Sequence, residues 1–243
     1  MKIGVQGLGT VGKAVADGFS VKGHEIYRYD PAKGYQDYLE QADIIFVCIP
    51  APEGIIEDDR FFDLHKTIVI KSTVRIGEME RLSSKYATSF VYNPEFLCED
   101  SAAEDFLGPD KIIIGCSKTE IGKSVGRLYR NFGAPIFYCT YREAEILKLA
   151  INSFYALKVI FANEIFDICM RHQTDYDFMQ KMLEADKRIA PYHLEIFHKG
   201  YRGFDGKCLP KDLNILTDQS GSELLTMVGR INRSLTAQFP LNI

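Results

Sequence analysis

The sequence predicts an α/β protein, with a doubly wound parallel sheet in residues 1–140 and an all-helical domain in residues 141–243. Strand-like and helix-like segments alternate over the first part, which favours a sheet covered by helices. A glycine-rich turn follows the first strand directly, and one very long apolar helix opens the second part. Near-continuous Ile and Val runs are typical of strands buried on both faces of a parallel sheet.

Short apolar runs bounded by turn residues define the elements of the first part. We predict strands at 2–6, 25–29, 43–49, 67–71, 89–92, 111–115 and 135–138. Helices are predicted between several of them, at 13–20, 76–86 and 120–131.

A glycine turn lies between the first strand and the first helix, where a Rossmann-type dinucleotide site requires it. Its candidate cofactor-binding residues are Gly7, Gly9, Thr10, Val11 and Gly12. Asp30 ends the second strand, and its carboxylate could accept hydrogen bonds from the adenine ribose. Because a carboxylate repels a 2′-phosphate, NAD is expected rather than NADP. The positive charges of Arg28 and Lys33 weaken the preference for NAD. Lys33 is a further cofactor-binding candidate.

Three further turns follow predicted strands, at the edge where such sheets bind ligands. They are 49–52 with Pro50, 71–74 with Ser72 and Thr73, and 93–99 with Glu95 and Glu99. Each could be an ordinary loop. Together they supply hydroxyls and two acids at that edge.

The segment Gly203-Phe204-Asp205-Gly206-Lys207-Cys208-Leu209-Pro210-Lys211-Asp212 contains the strongest nucleophile candidate. Pro210 favours a helix start, which places Cys208 at the positive end of that helix with lysines on either side. Such surroundings stabilise a thiolate. Asp212 follows one turn later and can reach the same pocket. The alternative is a small buried cysteine.

The long helix is predicted over 141–171 and is apolar on nearly every side. A helix of this kind is buried all round, so we expect a homodimer partner to cover it. Lys148 and Asn152 share one face of it and could hold a developing oxyanion, although a solvated lysine is the alternative. Shorter helices are expected over 175–198, where Lys187-Arg188 could contact an anion, and at 212–218 and 222–238.

Bulk properties exclude several classes. The net charge of −4 gives no nucleic-acid footprint, and the apolar runs are too short to span a membrane. The N-terminus is expected to be a strand and not a signal peptide. Six widely spaced cysteines without a C-x-x-C pair predict no metal site and favour a reducing cytoplasm.

Four motifs in this order make the chain similar to the UDP-glucose/GDP-mannose dehydrogenase family. They are GLGTVG at 7–12, NPEFLCEDSAAEDFLGPDKIIIG at 93–115, EAEILKLAINSFYALKVIFANE at 143–164 and GFDGKCLPKD at 203–212. The resemblance covers essentially the whole chain. It implies oxidation of the C6 alcohol of a nucleotide sugar to a carboxylate, with two NAD used per turnover.

The resemblance also implies roles for individual residues. Cys208 matches the nucleophile that forms a thiohemiacetal and then a thioester. Lys148 and Asn152 match the groups that stabilise the oxyanion, and Asp212 matches the acid that acts with a water. Glu95 matches the carboxylate of thioester hydrolysis, and Thr73 matches a hydroxyl at the reacting centre. Glu99 and Lys211 match positions beside the nicotinamide. The positions that match the surroundings of the sugar are Glu95, Phe96, Leu97, Phe204 and Gly206, and Arg188 matches a residue that reaches the substrate of a neighbouring subunit.

The chain also departs from the family pattern. Arg75 replaces the usual proline after Ser-Thr-Val, and Asp205 replaces the first glycine of GFGG; an Asp tolerates a left-handed backbone better than most residues. A third domain that binds the nucleotide of the sugar is expected to be absent, which weakens substrate binding unless a separate chain supplies it. Two alternatives stay open. One is a two-domain dehydrogenase of a small hydroxy acid, resembling the 3-hydroxyisobutyrate dehydrogenase class. The other is a truncated or split NAD-binding dimer without activity.

Overall fold

The computed structural model describes residues 1–197 and 200–237 of the chain. Residue contacts divide the chain into two compact units, Met1–Lys148 and Leu149–Ile243. The division of function between residues 1–140 and 141–243, with no third domain, stays a prediction. Within the described residues, no helix is both long and apolar enough to cross a bilayer.

The first unit contains an eight-stranded sheet. Its strands are β1 Lys2–Gln6, β2 Glu25–Asp30, β3 Tyr35–Gln36, β4 Ile44–Val47, β5 Thr67–Ile70, β6 Ser89–Tyr92, β7 Ile112–Cys116 and β8 Ile136–Cys139. They are arranged in the order β3-β2-β1-β4-β5-β6-β7-β8. The strands β2, β1, β4, β5 and β6 pair in parallel. The strands after β1 are first added on one side of it, and from β4 onwards they are added on the other side. The predicted α/β class is therefore confirmed, and this change of side places the ligand-binding crevice of such a sheet beside the ends of β1 and β4.

Two strand pairs differ from the predicted parallel sheet. β7 runs antiparallel to β6, and the short β3 runs antiparallel to β2. The run of isoleucines in β7 is buried on both faces, so it predicts a strand correctly but carries no information on direction. β3 is too short and too exposed to produce a pattern, and the sequence did not predict it.

The unbroken apolar runs arise because both faces of the sheet are covered. In β4, Ile44 and Phe46 join one core cluster with Ile3 and Val5. Ile45 and Val47 belong to the cluster on the opposite face. Successive side chains of a strand point to opposite faces, so every position of β4 must be apolar.

Helices of the first unit differ from the predictions in two segments. They are α1 Thr10–Val21, α2 Glu78–Lys85, α3 Ala102–Leu107 and α4 Thr119–Gly126. The short, acidic α3 was not predicted. The helix predicted over 120–131 ends at Gly126 and continues only as a 3₁₀ turn, Arg127–Tyr129.

Helices make up the described part of the second unit. Its first helix, α5 Tyr141–Arg171, has the predicted bounds and begins within the first unit; α6 Tyr176–Glu184, α7 Leu209–Ser220 and α8 Glu223–Ala237 follow. Only α6 is helical between residues 175 and 197, so the prediction of several helices there was wrong. The predicted ends at His198 and Gln238 lie outside the described residues. Several apolar residues of α5 are exposed in the single chain, among them Phe154 and Phe161.

Candidate active site

The glycine turn has three glycines with three different surroundings. Gly7 has a φ of +83°, a left-handed conformation that favours glycine. A Cβ on Gly12 would lie 1.8 Å from the carbonyl oxygen of Gly7, so the close contact between α1 and β1 excludes any side chain there. Gly9 is the N-cap of α1, and a Cβ on it would meet no atom within 4 Å. The turn therefore packs closely against the protein at Gly7 and Gly12, and has free space beside it at Gly9.

The open side of the turn has the donors that a pyrophosphate needs. The first bond of the α1 ladder runs from Lys13 N to Gly9 O at 2.9 Å, so the amides of Thr10, Val11 and Gly12 precede the ladder. Such amides, at the positive end of a helix, bind phosphate groups. The residues present thus fit the diphosphate of a dinucleotide.

Two of the predicted cofactor residues also hold the turn itself. Asp30 Oδ2 accepts a hydrogen bond from Leu8 N at 2.8 Å, and Lys33 Nζ donates one to Leu8 O at 2.5 Å. Leu8 is buried. The backbone of the residue between the first two glycines is therefore fixed on both sides by side chains from the end of β2 and just beyond it.

The predicted turns after β4 and β5 are tied to each other. Ser72 Oγ donates a hydrogen bond to Ile49 O at 2.7 Å, immediately before Pro50. Thr73 is nearly buried. Arg75 N donates to Gly54 O at 2.9 Å, a bond that a proline could not make. Arg75, which replaces the family's proline, thus contributes a backbone hydrogen bond that a proline would lack.

A buried carboxylate on α5 holds the far end of the same loop. Glu145 accepts hydrogen bonds from Gly77 N at 2.7 Å and from Met79 N at 2.8 Å, at the start of α2. Burial raises the pKa of Glu145 to about 7, although both hydrogen bonds act to lower it. Sequence reasoning missed this residue.

Lys148 and Glu95 form a largely buried ion pair in the first unit. Lys148 Nζ donates to Glu95 Oε1 at 2.9 Å, and both side chains are largely buried. Burial alone would raise the pKa of Glu95, but the charge and hydrogen bond of Lys148, helped by Leu97 N, lower it below its usual value. Lys148 also lies 5.3 Å from the ring centroid of Phe96. The alternative of a solvated side chain at Lys148 is thereby excluded.

A buried polar cluster supports the loop that carries Glu95. Lys71 Nζ and the Tyr129 hydroxyl both donate to Asn93 Oδ1, at 3.2 and 2.6 Å, and Asn93 Nδ2 donates to Ile113 O at 2.7 Å. Burial lowers the pKa of Lys71 to about 8. None of these residues was singled out from the sequence as a support, because their partners lie on three separate elements.

The corresponding pair in the second unit is Asn152 with Asp212. Asn152 Nδ2 donates to Asp212 Oδ2 at 2.6 Å, and Asp212 is almost completely buried. Lys211 Nζ lies 3.5 Å from the other carboxylate oxygen. Asp212 lies one helical turn after Cys208, since its backbone N donates to Cys208 O at 2.9 Å, and a shared pocket for the two side chains stays a prediction.

Cys208 is the N-cap residue of α7, and Pro210 lies in the first turn, as predicted. Cys208 is exposed, while Phe204 is buried. The left-handed residues of the loop are Gly203 and Gly206, with φ of +82° and +90°. Asp205 has no positive φ, so its replacement of a family glycine requires no left-handed backbone.

Arg188 and Glu99 occupy more exposed positions. Arg188 lies in the turns after α6 and donates through Nε to Asp186 Oδ1 at 2.9 Å. It lines a groove with Phe154 and Phe161 of α5. Glu99 is exposed on the loop after β6. The structure thus brings together Lys148 with Glu95 and Asn152 with Asp212, each pair within one unit. A single site for all these residues stays a prediction.

Strand order and glycine turn together identify the first unit as a Rossmann-type dinucleotide-binding domain. Residues 54–133 match the UDP-glucose/GDP-mannose dehydrogenase family, NAD binding domain, and residues 142–234 match the central domain of the same family. The chain belongs to this family, and its dinucleotide is NAD.

Individual relatives agree with the family assignment. UDP-glucose 6-dehydrogenase YwqF of Bacillus subtilis is 34% identical over 229 residues, which cover 84% of this chain and 51% of the relative. A UDP-glucose 6-dehydrogenase of Campylobacter jejuni is 36% identical over 181 residues, 72% of this chain and 44% of the relative. The structure of a UDP-glucose dehydrogenase from Pyrobaculum islandicum is 28% identical with a TM-score of 0.80, and covers 96% of this chain and 68% of that one. The chain therefore spans about half the length of the curated relatives it matches.

Proposed function

We propose that this chain oxidises the C6 alcohol of a nucleotide sugar to the carboxylate, of the type UDP-glucose to UDP-glucuronate, through a covalent intermediate on Cys208. The observation that carries the proposal is the start of α7. Cys208 caps this helix, and Asp212, one turn later, is buried against the amide of Asn152. A nucleophile, a carboxylate and an amide donor are thus fixed on two helices of one unit.

The residues divide the chemistry between them. NAD, when bound, supplies the oxidant for both oxidation steps. The Cys208 sulfur adds to the C6 aldehyde left by the first step, and the resulting thiohemiacetal is oxidised to a thioester. Asn152 and Lys148 donate hydrogen bonds to the oxyanion that forms when sulfur or water adds to the carbonyl carbon. Asp212 accepts, through a bound water, the proton released when the Cys208 thiol adds to the aldehyde.

Hydrolysis of the thioester is assigned to Glu95. Its low pKa, set mainly by Lys148 against the effect of burial, keeps it a carboxylate at neutral pH. A carboxylate can take a proton from the attacking water, which adds to the thioester carbon and releases the Cys208 thiolate. Thr73 contributes a hydroxyl near the reacting centre.

Binding roles follow the family pattern. For the cofactor we propose Gly7, Gly9, Thr10, Val11, Gly12, Asp30, Lys33, Pro50, Ser72, Thr73, Glu99 and Lys211. For the sugar we propose Glu95, Phe96, Leu97, Lys148, Asn152, Phe204 and Gly206, with Arg188 reaching the substrate of a second subunit. The second oxygen of Asp30 can accept from the ribose while the first holds Leu8 N, which supports NAD over NADP.

A homodimer through α5 is the proposed assembly. Phe154, Phe161 and Ile168 recur every seven residues along α5 and are 58, 56 and 41% exposed. A heptad repeat of apolar residues is the pattern by which two helices pair. This exposed apolar face, with Arg188 beside Phe154 and Phe161, supports a second copy of this chain as the occupant. A separate chain that supplies further nucleotide contacts is a possible additional partner, and the cysteine pattern supports a cytoplasmic location.

The test is the stoichiometry of NADH formation with NAD and a panel of nucleotide sugars, free sugars and hydroxy acids. Two NADH per nucleotide sugar consumed are expected. One NADH from a small hydroxy acid would contradict the proposal and favour a two-domain hydroxy-acid dehydrogenase. No NADH with any substrate, while NAD still binds in calorimetry, would favour a split or non-catalytic protein.

A further inference from the structure

The loop that leads to Cys208 is built around a buried amide on α8. Phe204 N donates to Asn232 Oδ1 at 2.7 Å, and Asn232 Nδ2 donates to Phe204 O at 2.8 Å. One side chain therefore satisfies both backbone groups of one loop residue. Asn232 is only 8% exposed, so neither bond competes freely with water.

Gly203 makes room for this amide. A Cβ on Gly203 would lie 2.5 Å from Asn232 Oδ1, well inside van der Waals contact. Gly203 also has a φ of +82°, which turns Phe204 N towards α8. The glycine and the asparagine are thus fitted to each other, although they are far apart in the sequence.

A second anchor holds the residue before Gly203. Arg202 donates through Nε to Asn163 Oδ1 at 2.9 Å and pairs through Nη1 with Asp167 Oδ1 at 2.8 Å. Arg202 is also buried. Arg202 therefore anchors the residue before Gly203 to α5, and Asn232 of α8 anchors the residue after it.

The loop has little freedom between this anchor and the nucleophile. Phe204 is held by Asn232 and packs into the core cluster of the second unit, and Cys208 O accepts the first α7 bond from Asp212 N. Only 205–207 lie between these two fixed points. Gly206 has a φ of +90° and open space around it, so it bends the chain without contributing an anchor of its own.

We infer that Asn232 is a positioning residue for catalysis: its amide fixes Phe204 and thereby sets the place of the Cys208 sulfur at the start of α7. This inference rests on the proposed function of Cys208. The Asn232 amide binds the backbone of Phe204 and is proposed to act through it. A shift of about 1 Å in a reacting group can lower a rate about 10²-fold, so loss of this amide is expected to reduce kcat far more than it reduces NAD binding.

The test compares Asn232→Ala with Val228→Ala, a buried apolar position one turn earlier on α8. Val228→Ala perturbs the same helix and the core cluster that also contains Phe204, but it removes no hydrogen bond to the loop. Hydrogen exchange is followed on peptides that span 201–208, and steady-state NADH formation gives kcat and KM. For Asn232→Ala we expect exchange at 201–208 to be faster by about tenfold or more and kcat to fall, with NAD affinity unchanged. Val228→Ala is expected to leave both loop exchange and kcat within about twofold of the parent at temperatures below its melting transition.

A conservative variant separates the hydrogen bonds from side-chain volume. Asn232→Gln keeps a neutral amide with a donor and an acceptor and is expected to regain part of the exchange protection, whereas Asn232→Leu keeps the volume and is expected to regain none. Unchanged exchange at 201–208 in Asn232→Ala would overturn the inference. Equal losses of kcat in Asn232→Ala and Val228→Ala would also overturn it, since general destabilisation would then explain them.

Failure of the proposed function remains distinguishable from failure of this inference. If the parent makes no NADH with any substrate, the rate at which iodoacetamide alkylates Cys208 replaces kcat, with Cys98 of the first unit as the internal reference. Cys98 is also exposed. A change of about tenfold at Cys208 in Asn232→Ala but not in Val228→Ala would support the positioning role. Equal Cys208 rates in the parent and both variants would refute it.

Discussion

Two glycine turns, one in each unit, solve the same structural problem with different chemistry. Each has a left-handed glycine, Gly7 or Gly203, followed by a buried apolar residue, and each leads to the start of a helix. In both, side chains bind the N–H and the C=O of that apolar residue. Leu8 is held by the charged side chains of Asp30 and Lys33, whereas Phe204 is held by the neutral amide of Asn232.

The difference follows from what each turn presents. The turn after β1 is proposed to bind a diphosphate, so its supports can be charged and partly exposed, and one of them is proposed to contact the ribose as well. The turn before α7 carries the proposed nucleophile Cys208 and packs against a core through Phe204. A buried charge there would have a large desolvation cost, which a neutral amide avoids. We therefore expect the stability of the first turn to change with salt and cofactor concentration, and the stability of the second turn to depend on core packing.

The largest expected effect comes from Gly12→Ala. Its Cβ would lie 1.8 Å from Gly7 O, a clash with backbone that no side-chain movement relieves. We expect a loss of about 3 kcal/mol or more in the free energy of unfolding, or failure to fold. Gly9→Ala is the matched control, since its Cβ meets nothing within 4 Å. It should keep the melting temperature and weaken NAD binding in calorimetry; similar melting temperatures for both variants would refute the assignment of close packing to Gly12.

A third turn, between β5 and α2, extends the comparison to a buried carboxylate. Burial raises the pKa of Glu145 from 4.5 to about 7 in the folded protein. The folded state therefore holds a proton that the unfolded state has released. The contribution of this group to stability is largest below about pH 4.5 and falls as pH rises to about 7, by an amount on the order of 2–3 kcal/mol.

Chemical denaturation of Glu145→Gln and the parent across pH 4.5–7.5 measures this effect. The parent should lose stability relative to the variant as pH rises through that window. Parallel pH profiles would show that Glu145 does not titrate there.

Replacing the left-handed glycines of the second turn should have an intermediate effect. Gly206→Ala introduces only backbone strain, about 1–2 kcal/mol, because the space around it is open. Gly203→Ala adds a contact of 2.5 Å to Asn232 Oδ1 and should cost more. Thermal unfolding of the two variants checks the order. A smaller loss for Gly203→Ala would break the proposed match between Gly203 and Asn232.

The smallest effect on stability is expected for the charged support of the first turn. Asp30→Ala removes one of two bonds to Leu8, in a partly exposed pair, and should lower stability by about 1 kcal/mol. It should weaken NAD binding more than NADP binding, because the carboxylate both holds the turn and accepts from the ribose. Calorimetric titration with both dinucleotides checks this. Equal NAD and NADP affinities in the parent would contradict the role of Asp30.

The sequence was sufficient for those features that depend on local patterns. The strand at 2–6, the glycine turn, the helix at 141–171 and the helix start at Cys208 all appear with the predicted bounds or close to them. The direction of β7 was not predictable, because a strand buried on both faces has the same pattern in either direction. Resemblance suggested Lys148, Glu95, Asn152 and Asp212 as site residues. Their pairing, Lys148 with Glu95 and Asn152 with Asp212, was not predicted, since each pair joins distant segments.

The residues that support the two turns were harder to predict from the sequence than the residues that the turns carry. Asn232 interrupts the apolar stripe of α8 between Val228 and Leu235, which is the one signal in the sequence that could have marked it. Its partner is a backbone amide and carbonyl, which no residue pattern identifies. Asp30 was found, but its bond to Leu8 N depends on the fold of the turn and not on its sequence.

The covalent intermediate on Cys208 is the central claim, and a trapping measurement tests it most directly. Glu95→Gln should slow hydrolysis of the thioester and let it accumulate. The variant is mixed with NAD and UDP-glucose, quenched in acid and digested, and the peptide containing Cys208 is weighed by mass spectrometry. The account predicts a peptide heavier by the acyl group of the oxidised nucleotide sugar, and no such product with Cys208→Ser. NADH formation accompanied by an unmodified Cys208 peptide would contradict it.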